Sequence, residues 1–358
     1  MGLLRLLLAC SVAVGHAGGL FGVRLVNGLT AVESFFVISG FYMSMVIHEK
    51  YSRHDRWYRL FWTSRYLRLA PLYVLVSATT VVASTLIGGK WSTLFSQGDF
   101  LTLASSIFSA LSLIGQDIFM FFGYDLATHR MYFLHNVLTG GLTTIGAWPT
   151  PGYSFLPIEP GWSIGIEVWF YLLAPFILLL RLRWALLIVG VSLASRAIVA
   201  WGLGWSYDPW NYRFFPSELV FFMMGHFCYH IYVNPRYRFV LKKLAWFTWI
   251  GVLLFGVMYN LIPLSQVIKG NLFVFAIALS IPEIFVLTKR WSIDRLLGEL
   301  SYPIYIIHMP VIGACTVLGK WQAPVALVLT LTLSVIAYVV LERPIDVWRS
   351  RLVQKGVT

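Results

Sequence analysis

Long apolar runs separated by short polar and basic interruptions organise nearly the whole chain. A helix needs about 20 apolar residues to cross roughly 30 Å of hydrocarbon. Runs of that kind fall near 3–21, 29–48, 69–88, 161–181, 184–202, 214–232, 245–263, 270–288, 300–318 and 322–341. The pattern predicts an all-α integral membrane protein of about ten transmembrane helices. A further apolar stretch, 101–123, is broken by Gln116 and Asp117. Polar or non-helical backbone at depth requires protein or a cavity around it. This stretch is therefore expected to be re-entrant, with pairing to the weaker stretch 131–147 as the alternative. The remainder of 89–160, through Trp148-Pro-Thr-Pro-Gly and Pro157 to Pro160, reads as an ordered outer loop stiffened by proline.

Loop charge then orients the spans, because Lys and Arg favour the cytoplasmic side. With both termini cytoplasmic, the inner segments collect Arg5; Lys50, Arg53, Arg56, Arg59, Arg65 and Arg68; Arg181 and Arg183; Arg236, Arg238, Lys242 and Lys243; Lys289, Arg290 and Arg295; and Arg343, Arg349, Arg351 and Lys355. These are 20 of the 27 basic residues. The bookkeeping holds only if 89–160 begins and ends outside.

Composition agrees. The 358 residues are 58% hydrophobic and 12% charged, where a soluble domain carries about 25% charged residues. The net charge of +12 is concentrated in short loops, which argues against nucleic acid as a partner. Cys10, Cys228 and Cys315 lie in apolar segments without metal-ligand spacing, so neither a disulfide framework nor a metal site is expected. LLAC at Leu7–Cys10 resembles a lipoprotein cleavage site, but the segment before it is too short for a signal peptide.

The informative residues are the ionisable ones inside spans, where a charge costs on the order of 2.5–3.5 kcal/mol at a helix centre. Arg5 and His16 are eleven residues apart in the first span, on one helix face and about 16 Å apart along it. Glu33 begins the second span at a similar depth to His16, and a carboxylate beside an imidazole orients it for base catalysis. Glu167, in GWSIGIEVWFYLLAPF, and Glu218 lie near the outer ends of their spans, Arg196 in the outer half, His308 near mid-membrane and Glu283 toward the inside. Each also has a structural reading. His308 serves equally well as an interhelical hydrogen-bond donor. Glu167 caps its helix or pairs with Arg196. Glu218, Glu283 and Arg196 read as structural. His226 and His230, one turn apart, lack further metal ligands. Positive-inside bias accounts for most of the basic inner segment, Arg56 and Arg59 included. Arg65 and Arg68 are three apart at the entrance to an apolar helix, and two guanidiniums on one face suit a phosphate-bearing ligand.

Four stretches in order resemble the membrane-bound acyltransferase-3 family. They are the Arg5-to-His16 spacing, VESFFVISGFYMS at Val32–Ser44, SRYLRLAPLY at Ser64–Tyr73, and GWSIGIEVWFYLLAP from Gly161. LGELSYPIYIIH at Leu297–His308 is a weaker fifth. Glu33 stands where the family's motif usually has Asp, one methylene shorter. The resemblance implies a stand-alone transmembrane acyltransferase domain over 1–345 with a short basic cytoplasmic tail over 346–358, in the inner membrane of a bacterium. It implies transfer of an acyl group, acetyl above all, from cytoplasmic acyl-CoA to a hydroxyl of a surface polysaccharide or lipid-linked oligosaccharide. Acetyl-CoA would be a co-substrate, with no permanently bound cofactor and no metal. Membrane lipid and polysaccharide assembly or export proteins are the further partners it suggests. On this reading Arg5, His16 and Glu33 carry the chemistry, His16 as general base or as acyl carrier. Arg5, Arg65 and Arg68 hold the CoA phosphates. Glu167, Trp162, Ser163 and His308 meet the acceptor. Trp148, Tyr153, Trp205, Tyr207 and Trp210 are weaker sugar contacts, equally readable as an interfacial aromatic belt. The rivals are a multi-span transporter of a glycan precursor or small anion, and a non-catalytic scaffold in an export complex. No inverted repeat supports the transporter.

Overall fold

A computed structural model describes residues 1–52, 57–125, 130–133, 150–319 and 323–355. Arg53, Arg56, Trp148 and most of the stretch 131–147 lie outside the described residues. The helices are α1 (Gly2–His16), α2 (Gly28–Val46), α3 (Trp57–Leu86), α4 (Lys90–Gln97), α5 (Phe100–Ser112), α6 (Gly161–Ile177), α7 (Leu182–Ala197), α8 (Phe215–Val233), α9 (Arg238–Met258), α10 (Gln266–Thr288), α11 (Ser292–Val317), α12 (Ala323–Ala337) and α13 (Arg343–Lys355). Turns of π-helix extend α2 over Ile47–Tyr51 and α7 over Ile198–Gly202, and a third joins α12 to α13 over Tyr338–Glu342.

Among the described residues, seven helical segments are long and apolar enough to cross a membrane, and they coincide with seven of the ten expected spans. The runs at 3–21 and 161–181 form shorter apolar helices of 15 and 17 residues. The run at 214–232 forms α8, whose Glu218, His226 and His230 dilute its hydropathy. The α5 helix has 13 residues and stops at Leu113, which takes a left-handed conformation. At 1.5 Å per residue it rises about 20 Å, too little to cross alone. Among the described residues there is also one small sheet. Strand β1 (Phe122–Asp125) pairs antiparallel with β2 (Arg130–Phe133) and with β3 (Thr150–Pro151), in the order β2-β1-β3.

The chain divides into two compact units. The first comprises Met1–Ser64, Ala174–Arg181 and Val220–Thr358. In it α1 and α11 run parallel and in step. Asp294, in the first turn of α11, accepts from the Gly2 and Leu3 N–H groups at 2.8 and 2.9 Å, so a carboxylate of one helix caps the start of the other. At the far end His16 meets His308. The most apolar part of α2 is 78% buried, against 17% for the α12–α13 segment, so α2 is central and α12 turns its Val and Leu side chains outward. The Ser39-Gly40-Phe41 sequence has a packing reason. A Cβ on Gly40 would strike the Phe222 backbone of α8, and one on Gly225 would strike Val37 of α2.

The second unit comprises Arg65–Leu173 and Leu182–Leu219. Its centre is the polar break at Gln116-Asp117, which packs against α6 at two glycines. A Cβ on Gly161 would strike Gln116, and one on Gly165 would lie 2.7 Å from Asp117 Oδ1. Tyr73 donates to Gln116 Oε1 at 2.7 Å, Gln116 Nε2 donates to the Ser109 carbonyl at 3.3 Å, and Trp169 Nε1 donates to Asp117 Oδ1 at 3.1 Å. Protein groups thus satisfy the residues that interrupt the apolar stretch.

Candidate active site

The apolar face of α1 is buried through Leu4, Leu8, Ala9, Val12 and Ala13, and packs on α11. The helix carries two basic side chains, one near each end. Arg5 is half-buried, with its guanidinium carbon 6.0 Å from the Tyr42 ring of α2. His16 is the last residue of α1 and is exposed. Its Nδ1 lies 2.9 Å from Nε2 of His308, with ring centroids 5.1 Å apart and planes 8° from parallel. His308 has 0% exposure. Its Nδ1 lies 3.2 Å from the Ile304 carbonyl oxygen, and the Tyr305 ring flanks it at 5.8 Å.

The parallel packing of α1 and α11 corrects the expected depths. His308 reads from the sequence as nearer mid-membrane than His16, yet the two sit at one level. Glu33 is buried in α2, one turn after Thr30, whose hydroxyl meets the Tyr259 hydroxyl at 3.1 Å. Above the same ring lies Lys269 Nζ, 5.0 Å from its centroid. Sequence reasoning missed Lys269, a buried lysine, because a single lysine at the edge of an apolar run looks like a flank that snorkels to water.

The remaining expected site residues belong to the second unit. Arg65 and Arg68 are both half-buried on α3. That helix begins at Trp57, earlier than the apolar run suggests, so the two share a helical face instead of a loop. Glu167 is half-buried and accepts from the Tyr171 hydroxyl one turn along α6 at 2.5 Å. Arg196 pairs with Glu218 at 2.9 Å and donates to the Asn211 carbonyl at 3.0 Å. Trp162 is nearly buried, with the Arg213 guanidinium 4.3 Å from its ring centroid and Tyr212 edge-on at 5.7 Å. Arg213 is ion-paired with Asp208 at 2.6 Å. Burial works against the Arg213 charge, but Asp208 and Tyr212 outweigh it and hold its pKa above the usual arginine value. Ser163 donates to the Pro160 carbonyl at 3.0 Å in the first turn of α6. The Trp205 and Trp210 rings pack with centroids 4.6 Å apart and planes tilted by 43°, in a cluster that includes Phe121 and Phe133.

His48, His226 and His230 gather with ring centroids 4.5 to 6.3 Å apart. Ser44 engages two of them, His226 Nδ1 through its hydroxyl and His48 Nδ1 through its carbonyl. Among the described residues no group of three His, Cys, Asp or Glu side chains is arranged to hold a metal.

These features define a multi-pass helical membrane protein whose first helix ends in an exposed histidine backed by a buried one. Residues 1–343 match the family model described as an acyltransferase domain, and the chain belongs to the acyltransferase-3 family. The motifs noted in the sequence therefore lie within a domain-length match. No curated protein and no solved structure matches the chain.

Proposed function

We propose that the protein transfers an acyl group, acetyl first among them, from cytoplasmic acyl-CoA to a hydroxyl of an extracytoplasmic or lipid-linked polysaccharide, within the inner membrane of a bacterium and with both termini cytoplasmic. The observation that carries this reading is the polarity of α1. A guanidinium stands near its start and an exposed imidazole at its end, in a chain of the acyltransferase-3 family.

CoA is polyanionic and stays on the basic side, where Arg5, Arg65 and Arg68 bind its phosphates as charge-assisted donors. The thioester arm extends along the protein toward His16. As general base, His16 takes the proton of the sugar hydroxyl while its oxygen attacks the thioester carbonyl. The C–S bond breaks, the ester forms, and the proton passes to the departing thiolate to give free CoA. As acyl carrier, His16 would instead attack first and release CoA before the hydroxyl arrives. A single-turnover burst of CoA without acceptor separates the two routes. Glu33 stabilises the charge that develops on His16. Glu167 faces the acceptor. The face of Trp162 that Arg213 covers is closed to a sugar, so the Trp205–Trp210 cluster takes over as the stacking surface we assign to the glycan.

The test is the ester-linked acetate of surface polysaccharide from cells lacking this protein, complemented with wild type or His16→Ala at matched membrane levels. Acetate restored by wild type alone is the expected result. Acetate restored by both removes His16 from the chemistry, and restoration by neither overturns acetyl transfer.

A further inference from the structure

We infer that His308 is the positioning residue that fixes the tautomer of His16 and so makes Nε2 of His16 the reacting nitrogen. This rests on the acyl-transfer reading above and deepens it.

The carbonyl oxygen of Ile304 can only accept a hydrogen bond. His308 Nδ1 lies 3.2 Å from it, so the proton of that contact belongs to Nδ1. A neutral imidazole carries one N–H. His308 Nε2 is therefore a bare lone pair, and it faces His16 Nδ1 at 2.9 Å. Two lone pairs do not attract, so His16 Nδ1 carries the proton between them. That leaves His16 with its lone pair on Nε2, on the side of the ring away from His308. The hydrogen bond made by one ring nitrogen sets the state of the other, and here the setting is passed from a helix carbonyl through two imidazoles.

Burial supports the neutral form of His308. The side chain has 0% exposure, and among the described residues no carboxylate contacts it. A charge there would be desolvated without compensation. His16 is exposed and is the member of the pair that can take up and release a proton. The ring planes, 8° from parallel, let the shared proton lie in the plane of both rings, and this directionality restrains rotation of the His16 ring.

His308 thus performs the service that a buried carboxylate gives to the histidine of a hydrolase triad, without placing a charge in an apolar bundle. The sequence reading assigned that orienting role to Glu33 and an acceptor-binding role to His308. In this assignment Glu33 acts on the charge of His16, and His308 on its proton position.

The experiment uses membrane vesicles from cells that make the endogenous polysaccharide, supplied with radiolabelled acetyl-CoA, for wild type, His16→Ala, His308→Leu and His308→Gln at measured protein levels. Leu removes the acceptor and keeps the bulk. Gln returns an acceptor oxygen toward His16 Nδ1. His308→Leu is expected to lower kcat roughly 100-fold, the scale of losing a positioning partner or a correct tautomer. Its KM for acetyl-CoA should stay within about twofold of wild type. His308→Gln is expected to recover to within about tenfold of wild type. His308→Phe supplies the acceptor-free arm if the Leu variant does not accumulate in the membrane. Wild-type kcat in the acceptor-free variant overturns the inference, as does a Gln variant no better than it, provided His16→Ala is dead. Full incorporation by His16→Ala instead removes His16 from the chemistry and the inference with it, whereas wild-type vesicles that incorporate no more than vesicles lacking the protein overturn the acyl-transfer reading itself, whatever the His308 variants do.

Discussion

Two buried polar pairs in this molecule look alike in outline and differ in kind. Arg196 and Glu218 bring opposite charges to 2.9 Å, with Glu218 at 0% exposure and Arg196 also held by the Asn211 carbonyl. His16 and His308 bring two like bases to the same distance, one fully buried and one exposed. In the first pair each charge answers the other, and the guanidinium is further anchored to backbone. In the second two imidazoles share one proton, and one of the two rings is exposed. A closed ion pair costs desolvation and repays it in structure. A buried base that holds an exposed one is set up for proton transfer. Polarity inside an apolar bundle is therefore not by itself a sign of function, and the charge and exposure of each pair separate the two.

The largest expected difference comes from breaking each pair in turn. His16→Ala and Arg5→Ala should each lower acyl transfer by about 10³-fold or more, with unchanged amounts of protein in the membrane. Glu218→Gln should do the opposite. It leaves the Arg196 charge without its carboxylate and costs roughly 1–3 kcal/mol of stability, less than a fully buried pair because Arg196 is partly exposed. Activity per folded molecule should survive. Specific activity and thermal unfolding, measured side by side, check this. Equal losses of specific activity in His16→Ala and Glu218→Gln would erase the distinction.

A smaller effect is expected at the phosphate end. Arg65→Ala combined with Arg68→Ala should raise the apparent KM for acyl-CoA about tenfold or more while kcat changes little, since uniform binding is what these guanidiniums supply. An unchanged KM would place the phosphates elsewhere. Glu33→Gln comes next, at roughly tenfold in kcat, by loss of a charge near the developing imidazolium. Glu33→Gln with less effect on specific activity than Glu218→Gln would remove Glu33 from the site.

Much of this was legible in the sequence, for identifiable reasons. Apolar runs of membrane length are a strong local signal, and seven of them became helices long enough to cross. The Arg5–His16 spacing is a property of one helix, readable without a partner. The Gln116-Asp117 break announced that protein must surround it, and Tyr73, Ser109 and Trp169 do so. What stayed hidden depends on which helices become neighbours. His16 and His308 are 292 positions apart, and only the parallel packing of α1 on α11 puts them at one level. Arg213 over Trp162 is equally non-local within the second unit, so a ring that reads as a sugar platform is covered instead. The early start of α3 at Trp57 was masked by its arginines, which look like loop charge but are good helix formers.

Asp117 gives the finest test of the comparison, because it is a buried carboxylate whose one described side-chain donor is an indole. Burial pushes its pKa up from 3.8 to about 6, against the pull of Trp169 and nearby backbone N–H groups. The sign follows from linkage. A carboxyl whose pKa is raised on folding binds its proton more tightly in the native state, so its contribution to stability is greatest below about pH 4 and declines as pH rises through 4 to 6. Above that range the fold carries the cost of a buried anion. Asn at this position takes no proton yet keeps an oxygen for the Trp169 N–H. Asp117→Asn should therefore match wild type in thermal stability near pH 4 and exceed it by a few degrees, about 2–6 °C, near pH 7.5. Activity at pH 7.5 should be unaffected if Asp117 belongs with Arg196 and Glu218 as structure. A variant less stable or less active than wild type at pH 7.5 would mean that the anion is used, and would move Asp117 to the side of His16.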